Sequence, residues 1–422
     1  MSSRTTSRRR LILFPIRFRP RKKLLLSLLL MVALPGAWTP LWAHDKGFAY
    51  VANAGSGNVS TYTIDERTGA LTQIAGSPFV TGQNPISVVV STNGKFAYVT
   101  NLFSNTVSAY TIDAETGSLT PVNGSPFAAD TPYSMALSPN GRFAFVTDYD
   151  STTVSAFTIN AETGALTPVA GSPFATAYQP ASIAVTPNSK FAYVAGDLSD
   201  SISAYAIDAA TGALTPLAGS PFPSATDPIA VTVSPNGRFA YAANYVSHDV
   251  SAFNIDADTG ALTPVSGSPF TAGQNPNALA ISPNGRFAYV ANLVSGDVSA
   301  YTISATTGAL TAVIGSPFAA GDVPMSVTVS SDNQFVYTAN LASNNVSAYA
   351  IDARTGALTP LAGSPFAAGS NPASVVTITQ SERRCKDESW GRHRETLQHD
   401  DGPQEEFIFK KSPPCHRHHE EE

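Results

Sequence analysis

The sequence predicts an all-β fold, a seven-bladed β-propeller with four antiparallel strands per blade. Three observations lead there: a motif that recurs at near-constant spacing, a four-strand pattern within each repeat, and a phase offset between the first repeat and the last. Phe48-Ala49-Tyr50 returns, with small changes, at Phe96, Phe143, Phe191, Phe239, Phe287 and Phe335, at intervals of 48, 47, 48, 48, 48 and 48 residues. Gly-Ser-Pro-Phe occurs seven times, from Gly76–Phe79 to Gly363–Phe366, and Thr-Gly runs in step from Thr68-Gly69 to Thr355-Gly356. A period of this length with four strands per unit is that of propeller blades; solenoid repeats are usually shorter and need distinct capping units.

The second repeat shows the elements in order. Strand A is Ile86 to Ser91, followed by Asn93-Gly94, a two-residue hairpin signal whose central positions both favour φ > 0. Strand B is Phe96 to Asn101. A polar loop, Leu102 to Thr106, leads to strand C, Val107 to Ile112, where β-branched and aromatic residues mix in strand style. Asp113 to Gly117 is a longer hairpin loop, and strand D starts at Ser118 and ends before the loop containing Pro126 and Pro132. No repeat carries a 3.6-residue apolar period long enough for a helix.

The phase offset predicts closure. The first repeat begins at strand B, with no strand A before Phe48, and the regular part ends on a lone strand A from Asn371 to Thr379. That strand can complete the first blade, so the ring closes with three N-terminal strands and one C-terminal strand, leaving no open edge.

Composition supports the same body and bounds its partners. Only 13% of the 422 residues are charged, which argues against a disordered or coiled-coil chain. Nine Lys/Arg and no Asp/Glu lie in 1–43, eight Lys/Arg and eleven Asp/Glu in 380–422, and the body keeps eight basic and twenty acidic residues. A body of net charge −12 repels nucleic acid and anionic membrane surfaces. The domains expected are therefore a signal peptide over 1–43, the propeller over 44–379 and a charged, disordered tail over 380–422.

The leader has the order of a secretory signal: a basic stretch through Arg21, Lys22 and Lys23, an apolar run from Leu24 to Leu34, then Pro35-Gly36 and a cleavage-like Leu41-Trp42-Ala43. Ser7-Arg8-Arg9-Arg10 also resembles a twin-arginine export motif. The expected location is periplasmic, cell-surface or extracellular, with no membrane insertion of the body. In the tail, Cys415-His416-Arg417-His418-His419 offers zinc-ligating residue types.

Tyr98-Val99-Thr100-Asn101 resembles the tetrapeptide of the YVTN repeat, and Tyr50-Val51-Ala52-Asn53 and Tyr289-Val290-Ala291-Asn292 are variants of it. With Ser-Pro-Asn-Gly-Arg at Ser234–Arg238 and Ser282–Arg286, and Thr-Gly-Ala-Leu-Thr-Pro at Thr163–Pro168, the chain is similar to the lactonase-type seven-bladed propellers over residues 48–379. The resemblance implies a family that includes bacterial 6-phosphogluconolactonase and fungal carboxy-muconate cyclase, together with cell-surface propellers of no known reaction. Its motifs are scaffold motifs, so it carries no catalytic residue onto this chain.

In such blades the A–B and C–D hairpins share one face, and the B–C loops and D-to-A connections share the other. The hairpin face mixes seven Lys/Arg with ten Asp/Glu at repeat-equivalent positions, the mark of solvated hairpins. The loop face holds Asp130, Asp148, Asp150, Asp197, Asp200, Asp227, Asp249, Asp297 and Asp322 and no Lys or Arg. Binding a phosphorylated lactone calls for Arg, Lys or clustered N–H groups, and this face would repel it.

A reaction centre needs different groups at defined points, so it should break the repeat. Asp148-Tyr149-Asp150 replaces the usual Asn-Leu in blade three, Gly196-Asp197 replaces it in blade four, and Tyr245 and His248 appear in blade five; Phe103, Tyr133 and Tyr178 add aromatics. The ligand-binding candidates are Asp148, Tyr149, Asp150, Asp197 and Tyr245. For catalysis, His248 beside Asp249 is a candidate general base with an orienting carboxylate, and Asp148 a further candidate; the competing reading is an exposed loop histidine. Asp148, Asp150, Asp197 and Asp200 are candidates for a hard cation such as Ca²⁺, against the competing reading of Asp-rich turns. No cofactor is required.

Two functions remain. One is an exported binding scaffold, monomeric, engaging a protein, glycan or small-molecule ligand through its acidic loop face. The alternative is a lactone hydrolase acting on a sugar lactone or similar small ligand.

Overall fold

The computed structural model describes residues 46–380, 391–397 and 404–410, with side chains described over 46–380. The leader expected over 1–43 and the Cys415–His419 run lie outside the described residues. Seven sheets radiate from a common axis, each built of antiparallel strands A to D from the centre outward, and no helix occurs among the described residues. Blade 2 comprises A (Pro85–Val90), B (Phe96–Asn101), C (Thr106–Ile112) and a D strand in two pieces, Leu119–Pro121 and Phe127–Ala128.

Closure occurs where the sequence places it. Strand A of blade 1 is the C-terminal Pro372–Gln380, which pairs antiparallel with strand B of that blade, Lys46–Asn53, from Lys46↔Gln380 to Asn53↔Pro372. The last strand of the ring is thus hydrogen-bonded to the first, and three N-terminal strands meet one C-terminal strand in a single sheet.

Two local expectations are corrected. The A–B turn of blade 2 is a four-residue loop in which Ser91 N donates to Phe96 O, and only Gly94 is left-handed (φ +71°); Asn93 accepts the Lys95 N–H and the Ser91 hydroxyl instead. Strand D does not stop before Pro126. Gly-Ser-Pro is a detour within it, with a cis Ser125–Pro126 bond. The detour withdraws strand D from the Ala109 amide, and the Ser125 hydroxyl accepts that N–H at 2.9 Å. The same serine bond recurs in all seven blades. A recurrent Gly-Ser-Pro-Phe is therefore a ladder repair: it satisfies a backbone donor that would otherwise be stranded.

The core lies between blades. Seven apolar clusters each join two neighbouring sheets; that between blades 7 and 1 packs Phe335, Tyr337 and Val346 against Val51, Tyr62 and Leu71. Each Phe of the Phe-Ala-Tyr motif covers a glycine in the next C–D hairpin. Gly117 (φ +73°) sits under Phe48, where a Cβ would collide with the ring, so Thr-Gly needs its glycine for both conformation and space. The Tyr of the motif then bonds across the same gap: Tyr50 donates to Gly117 O at 3.1 Å and Tyr98 to Gly164 O at 3.0 Å. Tyr337 closes the circle on Gly69 O at 2.8 Å. Burial pushes the Tyr337 phenol up, so it stays a donor.

Charges on the hairpin face do more than keep it solvated. Arg142 lies over Phe143, 5.2 Å from the ring centroid, and donates to Ala209 O and Ala210 O of the next blade at 2.6 and 3.2 Å. Arg238 and Arg286 repeat the arrangement. In the tail, expected to be disordered, Gly391–Leu397 and Gln404–Lys410 pair as a two-stranded antiparallel sheet; Phe407-Ile408-Phe409 is a β-forming run.

Blade 3 carries Phe145 where the other six carry Tyr, so Gly212 O lacks the inter-blade donor. Tyr337→Phe should lower stability by about 1–2 kcal/mol, and Phe145→Tyr should raise it by up to about 1 kcal/mol. Chemical denaturation of the two variants checks both signs.

Candidate functional site

The B–C loops and the D-to-A connections meet at one end of the channel and are locked together by repeat-equivalent bonds. In every blade the first residue after strand B donates its N–H to the carbonyl of the residue preceding that blade's own strand-A proline: Ala54 to Asn371, Leu102 to Asn84, Tyr149 to Thr131, Asp197 to Gln179, Tyr245 to Asp227, Leu293 to Asn275 and Leu341 to Val323. These seven residues therefore form one ring around the channel mouth. Four are Ala or Leu. The run Tyr149, Asp197, Tyr245 on consecutive blades is the break.

Below this ring lies a layer of buried asparagines at the ends of the B strands. Asn101 donates to Thr106 Oγ1 and Ser108 Oγ at 3.2 and 2.9 Å and accepts from Gly82 N at 3.1 Å. Asn53 does the same with Asn58, Ser60 and Gly369. Sequence spacing alone did not show this use of the amide, which ties strand C and the preceding connection to one point. Asp148 occupies this position in blade 3. It is fully buried, and its Oδ2 accepts from Thr153 Oγ1 at 2.7 Å and Ser155 Oγ at 3.0 Å, while Oδ1 has no partner. Burial pushes its carboxyl up to about 6, against the pull of those two hydroxyls, and the charge of Asp130 adds to the rise.

At the mouth, Tyr149 donates to Asp197 Oδ2 at 2.7 Å. Asp197 is 9% exposed and Asp227 6% exposed, and the two carboxyls lie side by side. Asp227 Oδ1 accepts the Leu198 N–H at 2.6 Å, and Asp227 N donates to Asp200 Oδ1 at 3.0 Å. Burial first, and the neighbouring Asp227 second, raise Asp197 to about 6. Two buried carboxyls in contact cannot both ionise cheaply, so Asp197 keeps its proton to a higher pH than an ordinary aspartate. Tyr133 stacks on Tyr149 with centroids 4.7 Å apart and an interplanar angle of 26°. Burial, Asp197 and Tyr245 all push the Tyr133 phenol up.

Tyr133 also lines the central channel, a cavity of about 320 Å³ walled by the A strands of all seven blades. Its channel position is Ile86 in blade 2, Ala181 in blade 4, Ile229 in blade 5, Asn277 in blade 6, Met325 in blade 7 and Ala373 in blade 1. The site thus gathers Tyr149, Asp197 and Tyr245 from the sequence candidates and adds Tyr133 and Asp227. Tyr133 was visible as an aromatic break; the signal that would have assigned it was its place directly after the strand-A proline. Asp227 stood among nine similar carboxylates with nothing in sequence to single it out.

The other candidates are placed differently. Asp150 is exposed, and Asp148 lies beneath the ring, facing Thr153 and Ser155. His248 does not pair with Asp249. It is exposed and left-handed (φ +59°), and its Nδ1 accepts the Asn275 N–H at 3.0 Å. That bond is a loop lock, made by Asn105 to Thr131 N and by Asn344 to Asn371 N in sister blades. Asp249 accepts from Asn244 and Ser247 at 2.7 and 3.0 Å. Among the described residues no group of three or more His, Cys, Asp or Glu is arranged to hold a metal ion, so Asp148, Asp150, Asp197 and Asp200 are not brought together as one.

The family described as lactonase, seven-bladed β-propeller, matches residues 40–177, 168–274 and 266–376. No curated protein matches the sequence. Among solved structures, a candidate 6-phosphogluconolactonase from Bacteroides fragilis is 22% identical, with a TM-score of 0.71 over 80% of this chain and 99% of that one. Its counterpart from Bacteroides uniformis is also 22% identical, with a TM-score of 0.70 over 79% and 100%. A periplasmic gluconolactonase from Pseudomonas aeruginosa is 20% identical, with a TM-score of 0.67 over 79% and 99%. At these identities the likeness is one of fold.

Asp148 has a testable cost. A carboxyl raised to about 6 in the folded state keeps its proton where the unfolded chain has lost it, so its contribution is fully present below about pH 4 and is lost as pH rises through about 6. Asp148→Asn, the residue of most sister blades, should raise stability at pH 7 by on the order of 2 kcal/mol and flatten the pH dependence between 4 and 6. Thermal melts across that range check it.

Proposed function

The chain belongs to the lactonase family of seven-bladed β-propellers, and from that premise we propose that it is a lactone hydrolase whose reacting groups are Asp197 and Asp227, with Tyr149, Tyr133 and Tyr245 holding the substrate at the channel mouth. The observation that carries the reading is the carboxyl pair with its tyrosine donor, set in the one stretch of the mouth ring that departs from Ala and Leu. The scaffold reading rested on the lack of a recognisable catalytic set, and this cluster supplies one.

Lactone hydrolysis needs a base to take a proton from water and an acid to return one to the leaving ring oxygen. A carboxyl pair that shares one proton has both, and Asp197 is the member that keeps the proton below about pH 6. The ionised carboxyl accepts the proton as water oxygen bonds the carbonyl carbon. The neutral one then protonates the ring oxygen as its bond to that carbon breaks, leaving a hydroxy acid. Tyr149, hydrogen-bonded to Asp197 Oδ2, fixes which lone pairs remain for water. The hydroxy acid leaves as an anion, and an acidic mouth favours its release.

The same acidity selects the substrate. With nine carboxylates and no Lys or Arg on this face, a neutral lactone is favoured over a phosphorylated one. The export reading of 1–43 fits this choice, since a free sugar lactone is a reasonable substrate outside the cytoplasm, and a fold relative is a periplasmic gluconolactonase. We place the protein there as part of the proposal.

Purified chain should hydrolyse glucono-δ-lactone above the spontaneous rate and leave the 6-phosphorylated lactone near background. Asp197→Asn should lower kcat by at least about a hundredfold, and kcat/KM should fall as pH rises through about 6, where Asp197 loses the proton that is returned to the ring oxygen. A chain that hydrolyses the phosphorylated lactone faster, or is indifferent to Asp197→Asn, would contradict the assignment. Continuous proton-release assays at several pH values read all three outcomes.

A further inference from the structure

A second cavity, of about 550 Å³, opens on the loop face between blades 7, 1 and 2, away from the Tyr149–Asp197 cluster on blades 3 and 4. It exists because blade 1 has almost no side chains where its sisters do. Ala54-Gly55 stands at the mouth-ring position that reads Leu102-Phe103, Leu293-Val294 and Leu341-Ala342 in blades 2, 6 and 7. The wall toward blade 2 is Phe103, 71% exposed, the only aromatic at its repeat position. The rim carries the amides of Gln83 and Asn84, whose side chains have no hydrogen-bond partner among the described residues. No charged side chain lines the cavity.

An open aromatic face, unengaged amides and no charge are together suited to a hexose ring. Such a ring presents C–H groups on one face and hydroxyls around its edge; the aromatic packs on the first, and each amide offers a donor and an acceptor to the second. We propose that this cavity is a binding site for a neutral hexosyl group, separate from the carboxyl cluster and independent of the lactone-hydrolase reading.

The repeat supplies variants that the fold already accepts. Ala54→Leu installs the residue of blades 2, 6 and 7 and fills the cavity, and Phe103→Val installs the residue of blades 5 and 6 and removes the platform. Lactose binding is measured by saturation-transfer NMR beside a thermal melt of each variant. Wild type should bind lactose, and both variants should lose the lactose signal with melting temperature held. Lactose binding lost in both variants, in a chain that turns over no lactone, would leave the subsite standing and remove the hydrolase reading. Absence of lactose binding in wild type, or binding unchanged in both variants, would overturn the subsite.

Discussion

Everything at the channel mouth depends on the bonds between blades, and the closing pair of strands makes those bonds a circle. No single blade buries its apolar faces alone; each Phe of the repeated motif needs the next hairpin's glycine, and each Tyr its carbonyl. Pairing of Pro372–Gln380 with Lys46–Asn53 lets blade 7 meet blade 1 through the same contacts as any other neighbours. The result fixes seven loops at equal spacing around one axis. A residue change in a loop then alters the mouth without altering the frame.

This division explains where strain and cost appear. Each asparagine of the layer beneath the mouth donates to strand C, and those of blades 1, 2 and 5 also accept from the connection. Asp148 replaces the amide by a carboxyl, one of whose buried oxygens has no partner. Asp197 and Asp227 add a pair of buried carboxyls that a stability-driven sequence would avoid. Both departures fall in blades 3 to 5, beside Tyr133, Tyr149 and Tyr245. Buried carboxyls beside three tyrosines on one arc of the mouth are the ground for proposing chemistry there.

The fold was legible because repetition is a signal that survives any single ambiguity. Blade number, strand order and closure all followed from the spacing of Phe-Ala-Tyr and the lone C-terminal strand. What the spacing could not reveal was how motifs are used. Gly-Ser-Pro-Phe read as a loop, whereas its serine repairs the sheet inside strand D; the hairpin arginines read as solvated, whereas three of them staple the next blade. For the site, broken symmetry drew attention to Tyr149, Asp197 and Tyr245, which stand on consecutive blades of the mouth ring. Of the two readings of His248 the structure has the exposed loop histidine, whose ring accepts a backbone N–H as the side chains of Asn105, Asp200 and Asn344 do at the same left-handed turn. Asp227 was hidden because its partner lies on another blade's loop, 30 positions away in the chain, and only the packing of blade 5 beside blade 4 brings them into contact.

A regular frame that carries one irregular arc is therefore the basis for reading this chain as a hydrolase of neutral lactones. The most direct measurement replaces the arc with the residue its sister blades use: a triple variant, Tyr149→Leu, Asp197→Leu and Tyr245→Leu, assayed for glucono-δ-lactone hydrolysis beside a thermal melt. The account predicts an intact, equally or more stable propeller whose hydrolysis has fallen to the spontaneous rate. Undiminished turnover by that folded variant would contradict it and place the chemistry elsewhere on the ring.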